Sequence, residues 1–312
     1  MTNSSVQYPV FLDRCPDYAT LQKGCKLDSL LADFQALKNL HSSRVLLKPN
    51  LVSSSAPLHG CTDVRFIRTV AAYLKDLGAQ VVLGDSPAFR SAYSVCRSKG
   101  IVDSMKELDV DIIEFKDFVP VKLDCGIQVS LARPPLECDL LVNLPKIKAH
   151  GQMYMTLAVK NCFGLVTGIQ KAMLHMRYGT GYQIFSEMIT DIQKILPRQI
   201  IVGDGIDAMH VTGPINGERL NLQLLAAAEN PFAFDAAIFK ILRLPVDKSP
   251  LMQEALRKEI KAADQTNLTY PFLGPEDFLE IDFIAPDNLI PIRFNPFRFV
   301  KSIFRRLLSI QD

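Results

Sequence analysis

Between Asp139 and Glu187 the chain has no acidic residue, yet it carries Lys146, Lys148, His150, Lys160, Lys171, His175 and Arg177. These cations are interleaved with Leu, Val, Met and Phe, so they cannot all face bulk water. Burying a lysine without a partner is costly. Either carboxylates arrive from distant segments, or the partner is an anionic ligand. A lysine desolvated beside other cations has a lowered pKa and can serve as a general base or Schiff-base nucleophile. A nearby histidine is the natural second proton-transfer group. Lys148, His150 and Lys160 are therefore the candidate catalytic residues.

The spacing within the segment is informative. Lys146, Lys148 and His150 alternate, which puts them on one side of an extended backbone. Gly151 breaks that run, and from Met153 to Gly164 a helix is expected, with Thr156 and Lys160 one turn apart on the same face. Gly164 and Gly168 flank its end, where backbone N–H groups could approach an anion. The run Gln170–Arg177 sets Lys171 and His175 at i and i+4, again on one face. Cys162 reads either as a low-pKa thiol in an electropositive setting or, more simply, as a buried inert one.

The elements that position these groups are apolar runs of four to six residues alternating with helical periodicity. Strands are expected at 45–50, 80–83, 110–115, 119–130 (a hairpin), 139–143, 199–203 and 222–228. Helices are expected at 63–77, capped by Thr62, and at 90–107, 153–164, 184–196, 231–243 and 250–263. Asn230 followed by Pro231 gives one helix a defined start. Val- and Ile-rich runs alternating with helices imply an α/β fold, a mostly parallel or mixed sheet covered by helices on both faces in three layers.

Four of the apolar runs end in a polar residue: VLL before Lys48-Pro49-Asn50, VVLG before Asp85, LLV before Asn143-Leu144-Pro145-Lys146, and IIVG before Asp204. Ligands of open parallel sheets bind along the carboxyl ends of the strands. Such ends would set Lys48, Asn50, Asp85, Lys146, Lys148 and Asp204 along one crevice. Asp, Asn, Gly and Pro are ordinary turn residues, but lysine is not. The competing arrangement pairs Lys146 or Lys171 with Asp85, Asp204 or Asp207 as structural ion pairs. A divalent cation held by Asp85, Asp204, Asn50 and a phosphate is a further, weaker expectation.

Composition bounds the remaining options. A formal net charge of +2 over 312 residues, with no recognised reading motif, argues against a nucleic-acid partner. Seven widely spaced cysteines without a CxxC or CxxH pair give no local iron–sulfur or zinc motif and fit reduced thiols in a cytoplasmic protein. The cofactor is left open. No secretory signal or bilayer-spanning run is evident. Residues 286–312 differ in character from a single α/β domain over 1–285. Within them, 297–310 carries an apolar stripe flanked by Arg298, Lys301, Arg305 and Arg306, suited to packing on the protein's own core or on a second subunit, or to an anionic membrane surface.

In order, VLLKPNLV, LGAQVVLGDSP, LLVNLPKIKAHGQMYMTLAVKNCFGLVTG, GDGIDAMHVTGPINGE and NPFAFDAAIFKIL resemble the prokaryotic family called domain of unknown function 362, over roughly residues 40 to 245. The central pattern, K-x-K-x-H followed by T-x-x-x-K-N-x-x-G, carries the resemblance at Lys146, Lys148, His150, Thr156, Lys160, Asn161 and Gly164. The match extends to Lys48, Pro49, Asn50, Asp85, Asp204, Gly205, Gly213, Pro214 and Gly217. Many relatives carry a ferredoxin-like cluster-binding segment that this chain lacks. The reading is an enzyme holding a carboxylate- or phosphate-bearing small molecule in a Lys/His crevice, with Lys48, Asn50, Asp85, Lys146, Thr156, Asn161, Gly164, Lys171, His175 and Asp204 as binding residues. The alternative is a non-catalytic cofactor- or metal-binding accessory protein that works with a redox partner.

Overall fold

The computed structural model describes residues 6–23, 25–87, 91–166 and 168–290. The tail segment 297–310 lies outside the described residues. Twelve strands are defined: β1 (Tyr8–Arg14), β2 (Arg44–Pro49), β3 (Gln80–Asp85), β4 (Asp111–Glu114), β5 (Phe118–Lys122), β6 (Gln128–Ala132), β7 (Leu140–Leu144), β8 (Lys146–His150), β9 (Tyr154–Thr156), β10 (Gln199–His210), β11 (Glu218–Ala228) and β12 (Leu268–Thr269). The helices are α1 (Tyr18–Gln22), α2 (Cys25–Leu31), α3 (Val64–Asp76), α4 (Ala92–Ser98), α5 (Ile101–Glu107), α6 (Arg133–Glu137), α7 (Ala158–Asn161), α8 (Gly168–Tyr178), α9 (Tyr182–Ile192), α10 (Pro231–Ile241) and α11 (Pro250–Arg257).

The main sheet runs in the order β12-β1-β11-β10-β7-β2-β3-β4. Along that path only β11 opposes its neighbours, pairing antiparallel with both β1 and β10, while β10, β7, β2, β3 and β4 are mutually parallel. Alternate residues of the central strands feed two cores. Leu46, Leu141 and Ile201 face α9 and α10, whereas Val45, Leu47, Leu140, Val142 and Val202 face α2, α3, α4 and α5. This is the expected three-layer α/β arrangement, and continuous apolar runs are what strands covered on both sides require.

Several local expectations need correction. Asp63, not Thr62, caps α3, accepting from Arg65 N at 2.9 Å. Thr62 is used differently: its hydroxyl donates to Leu144 O at 2.7 Å and accepts from Asn50 N at 2.8 Å, tying the loop after β2 to the end of β7. The helix expected over 90–107 divides into α4 and α5 at Gly100, whose φ of +72° no continuous helix tolerates. The hairpin expected over 119–130 forms as β5–β6, a separate two-stranded sheet. The helix expected over 250–263 ends at Arg257 and gives way to a short 3-10 turn at Lys261–Ala263. β1, from the apolar run in YPVFLDR, was not anticipated.

The largest departure is at the lysine-rich segment. Beyond Pro145 the chain stays extended as β8, which pairs parallel with the outer half of the long strand β10, setting Lys146 opposite Asp204. It then reverses and returns as β9, with Lys148 opposite Thr156 and His150 opposite Tyr154. A strand therefore stands where the helix from Met153 was expected. Only Ala158–Asn161 is α-helical there, followed by a 3-10 turn at Cys162–Leu165.

Candidate functional site

Two buried ammonium groups near the strand ends have carboxylate partners. Lys48 Nζ lies 2.6 Å from Asp85 Oδ1, and the two side chains are 1% and 3% exposed. Lys48 also donates to Pro49 O at 2.9 Å, and the second Asp85 oxygen accepts from Leu51 N at 3.0 Å. Gly164 packs against this pair. A Cβ at that position would lie 2.6 Å from both Asp85 Oδ1 and Lys48 Nζ, so no other residue fits without displacing it.

The second pair is Lys146 with Asp204, at 2.8 Å and fully buried. Tyr18 completes a closed ring, accepting from Lys146 Nζ at 2.9 Å and donating to Asp204 Oδ1 at 2.9 Å. Asp204 Oδ2 also accepts from Asp63 N at the start of α3. Burial raises the Asp204 carboxyl, and the adjacent Lys146 opposes that shift. This is the competing ion-pair arrangement for Lys146.

The remaining cations meet around a cavity of about 160 Å³ at the carboxyl ends of β2 and β3. Its wall includes Lys48, Asn50, Asp85, Lys148, His150, Thr156, Lys160, Asn161, Gly164, Lys171 and His175, so eleven residues singled out from sequence converge there. Lys146 and Asp204 do not line it. Strand rise explains the separation: each residue along β8 advances about 3.3 Å, which carries Lys148 and His150 outward past the sealed pair. Thr156 and Lys160 reach the cavity together from β9 and α7, rather than from one helix. Lys171 and His175 share a face of α8 as their i, i+4 spacing requires.

A chain of amides fixes the floor. Lys148 Nζ donates to Asn50 Oδ1 and Gly60 O, each at 2.6 Å. Asn50 Nδ2 donates to Asn161 Oδ1 at 2.7 Å, and Asn161 Nδ2 donates to Asn143 Oδ1 at 2.8 Å. Lys171 Nζ donates to Ser86 O. Lys160 Nζ has no hydrogen-bond or ion-pair partner among the described residues. Its side chain keeps some accessible surface at the cavity, while protein encloses it on its other sides.

The electrostatics follow from this enclosure. Desolvation, reinforced by Lys148, Lys171 and Lys48, brings Lys160 down to about 7. Desolvation chiefly, with Lys146 and Lys48 adding to it, brings Lys148 down to about 8. His175 falls to about 3 through burial and the fields of Lys160 and Lys171. His150 is held well below its ordinary range by burial, then by Lys160 and Lys148. Its Nδ1 accepts from the backbone N–H groups of Gln152 and Met153 at 3.1 and 3.2 Å. A neutral imidazole so engaged carries its proton on Nε2. Two polar atoms of the cavity residues, Thr156 Oγ1 and His175 Nδ1, are buried with no partner among the described residues, and buried polar atoms are seldom left so.

Sequence reasoning passed over Asp235. It lies on α10, almost fully buried, and its oxygens accept from Ala158 N at 2.8 Å and Val159 N at 3.3 Å. It thereby caps the four-residue helix that carries Lys160 and Asn161. The available signal was a lone acid in the apolar run PFAFDAAIFKI. Cys162 takes the bland reading: fully buried, it is pushed up to about 11.

Residues 45–240 match the family described as a domain of unknown function, DUF362. The chain is also 35% identical over 266 residues to a thylakoid-associated protein of Synechocystis sp., covering 84% of this chain and 82% of that one. This chain belongs to the DUF362 family. Among solved structures, the lactate racemase apoprotein of Thermoanaerobacterium thermosaccharolyticum is similar at 12% identity and a TM-score of 0.48, covering 74% of this chain and 56% of that one. A Thermotoga maritima protein is similar at 13% identity and a TM-score of 0.44, covering 66% of this chain and 54% of that one. The DUF362 chain thus spans about half the length of the solved structures it resembles. No helix among its described residues is long and apolar enough to cross a membrane.

Proposed function

We propose that this DUF362 protein is an enzyme that binds a small anionic molecule in the Lys/His cavity and moves a proton with Lys160. The observation that carries the reading is Lys160 itself, a cation without a partner among the described residues, in a wall that also holds Thr156 Oγ1 and His175 Nδ1, unpartnered among the same residues. An anion would satisfy all three. With a pKa brought to about 7, Lys160 can gain or lose a proton at neutral pH, as a general acid–base requires. His150 serves as a donor through Nε2, because its Nδ1 is committed to backbone amides. Lys148, anchored on Asn50, supplies fixed positive charge. A cavity of about 160 Å³ sits below the roughly 300–1,000 Å³ of pockets for drug-sized ligands, which favours a compact ligand or one end of a longer one.

The test is identification of small molecules that copurify with the native protein by mass spectrometry, followed by binding to wild type and Lys160→Met. Loss of the recovered anion in the variant, with its chemical conversion by wild type, is the expected result. Retention at wild-type affinity would overturn the reading. An anion recovered and never altered would favour the accessory-protein alternative.

For location, the reading is a protein that associates with membrane surfaces through 297–310, supported by the basic amphipathic pattern and by the thylakoid-associated relative. Sedimentation with anionic liposomes, for the full chain and for one truncated before Ile292, tests it. Equal sedimentation of the two would reject it.

A further inference from the structure

The charge balance around the cavity narrows the ligand class. Among the described residues Asp85 is the one carboxylate in the wall, and it is already matched to Lys48 at 2.6 Å, with its second oxygen on Leu51 N. That pair is closed. Lys148 is held by neutral oxygens only, the Asn50 amide and the Gly60 carbonyl. Lys160 is held by nothing among the described residues. Lys171, the other lysine of the wall, is engaged at Ser86 O. Lys148 and Lys160 thus bear on one small cavity without a compensating carboxylate among the described residues.

Resting on the anion-binding reading above, we infer that the ligand is a compact dianion, with two negative charges on clustered oxygen acceptors, held between Lys148 and Lys160. A monoanion would leave one of these enclosed ammonium groups unmatched, and an unmatched charge taken out of water is the costly state. Two negative charges match both, and oxygens of the same group can accept from His150 Nε2 and Thr156 Oγ1. A phosphoryl group and a short dicarboxylate share this chemistry. Because Lys160 is only partly protonated at neutral pH in the empty cavity, the dianion draws a proton onto it. Lys48, Asp85, Lys148, His150, Lys171 and His175 are the other titratable groups around it, and of these Lys148 contributes to the same uptake in the alkaline range.

The experiment compares inorganic phosphate, malonate and acetate by calorimetry at pH 8 in two non-phosphate buffers of different ionisation enthalpy. Phosphate or malonate should bind at least about tenfold more tightly than acetate, equivalent to one further matched charge pair, and with net proton uptake. Phosphate above malonate assigns a phosphoryl group, and the reverse assigns a dicarboxylate. Lys160→Met should reduce the preference for the dianion to below about threefold, while Lys160→Arg, which keeps the charge, should retain it. Acetate binding as tightly as either dianion would overturn the dianion inference and leave anion binding standing. Absence of binding by all three would overturn the inference together with the reading beneath it.

Discussion

At the scale of single residues, cations near the cavity fall into two groups that the sequence writes with the same letter. Lys48 and Lys146 have carboxylates at 2.6 and 2.8 Å, whereas Lys160 has none among the described residues. An ammonium largely enclosed by protein and without a partner among the described residues is a cost to the empty fold, so Lys160→Met should raise apo stability at neutral pH by about 1–4 kcal/mol while weakening anion binding. Denaturant midpoints with and without ligand measure both sides of that exchange. The pH dependence has a defined sign. Lys160 binds its proton less well folded, near 7, than at its ordinary 10.5, so its penalty is complete below pH 7 and relieved as pH rises through that window. Lys148 adds the same sign from about 8 upward. Wild-type stability should therefore climb relative to Lys160→Met between pH 7 and 9.5. Parallel curves for the two proteins would refute the assignment of an unpartnered lysine.

At the scale of elements, α7 is too short to hold itself, since isolated helices of one turn do not persist in water. Asp235 of α10 supplies the missing acceptors for its first N–H groups, and burial raises that carboxyl well above the usual range. Asp235→Ala should cost about 1–3 kcal/mol for the two donors it strands and should weaken anion binding, because Lys160 and Asn161 ride on the same turn. Asp235→Asn keeps one oxygen and should retain more of both; equal losses in the two variants, read by urea unfolding and by anion titration, would remove Asp235 from a positioning role. This residue also marks the limit of what the sequence discloses. Strand ends at Lys48, Asp85 and Asn143 were legible because apolar runs stop abruptly there, and Lys171 with His175 was legible from helical spacing. Thr156 and Lys160 were placed in the right company on the wrong element. Their four-residue interval suits a helix, and only the pairing of β9 with β8, a contact between segments that reverse at Gly151–Met153, overrides it. Asp235 meets α7 across 77 residues of chain, a separation that no local pattern encodes.

At the scale of the whole molecule, the Lys146–Asp204–Tyr18 ring joins parts that no single core unites. Lys146 belongs to β8, Asp204 to β10, Tyr18 to α1, and Asp63 N at the head of α3 adds a fourth attachment. The ring thus ties the sheet's outer extension, which carries Lys148 and His150, to the helical layer on one face. Removing one partner of a buried ion pair typically costs about 3–5 kcal/mol, because the other charge is left without compensation. Lys146→Met should therefore destabilise the fold by that order, opposite in sign to Lys160→Met. The double variant Lys146→Met, Asp204→Leu should recover much of the loss, since replacing both charges leaves no buried ion. Urea unfolding of the four proteins decides the matter. Opposite signs for the two lysines would divide the acid-free segment into a part that fastens the sheet and a part held ready for a ligand. Destabilisation of similar size for both would mean that Lys160 too is structural, and the cavity would lose its strongest claim to function.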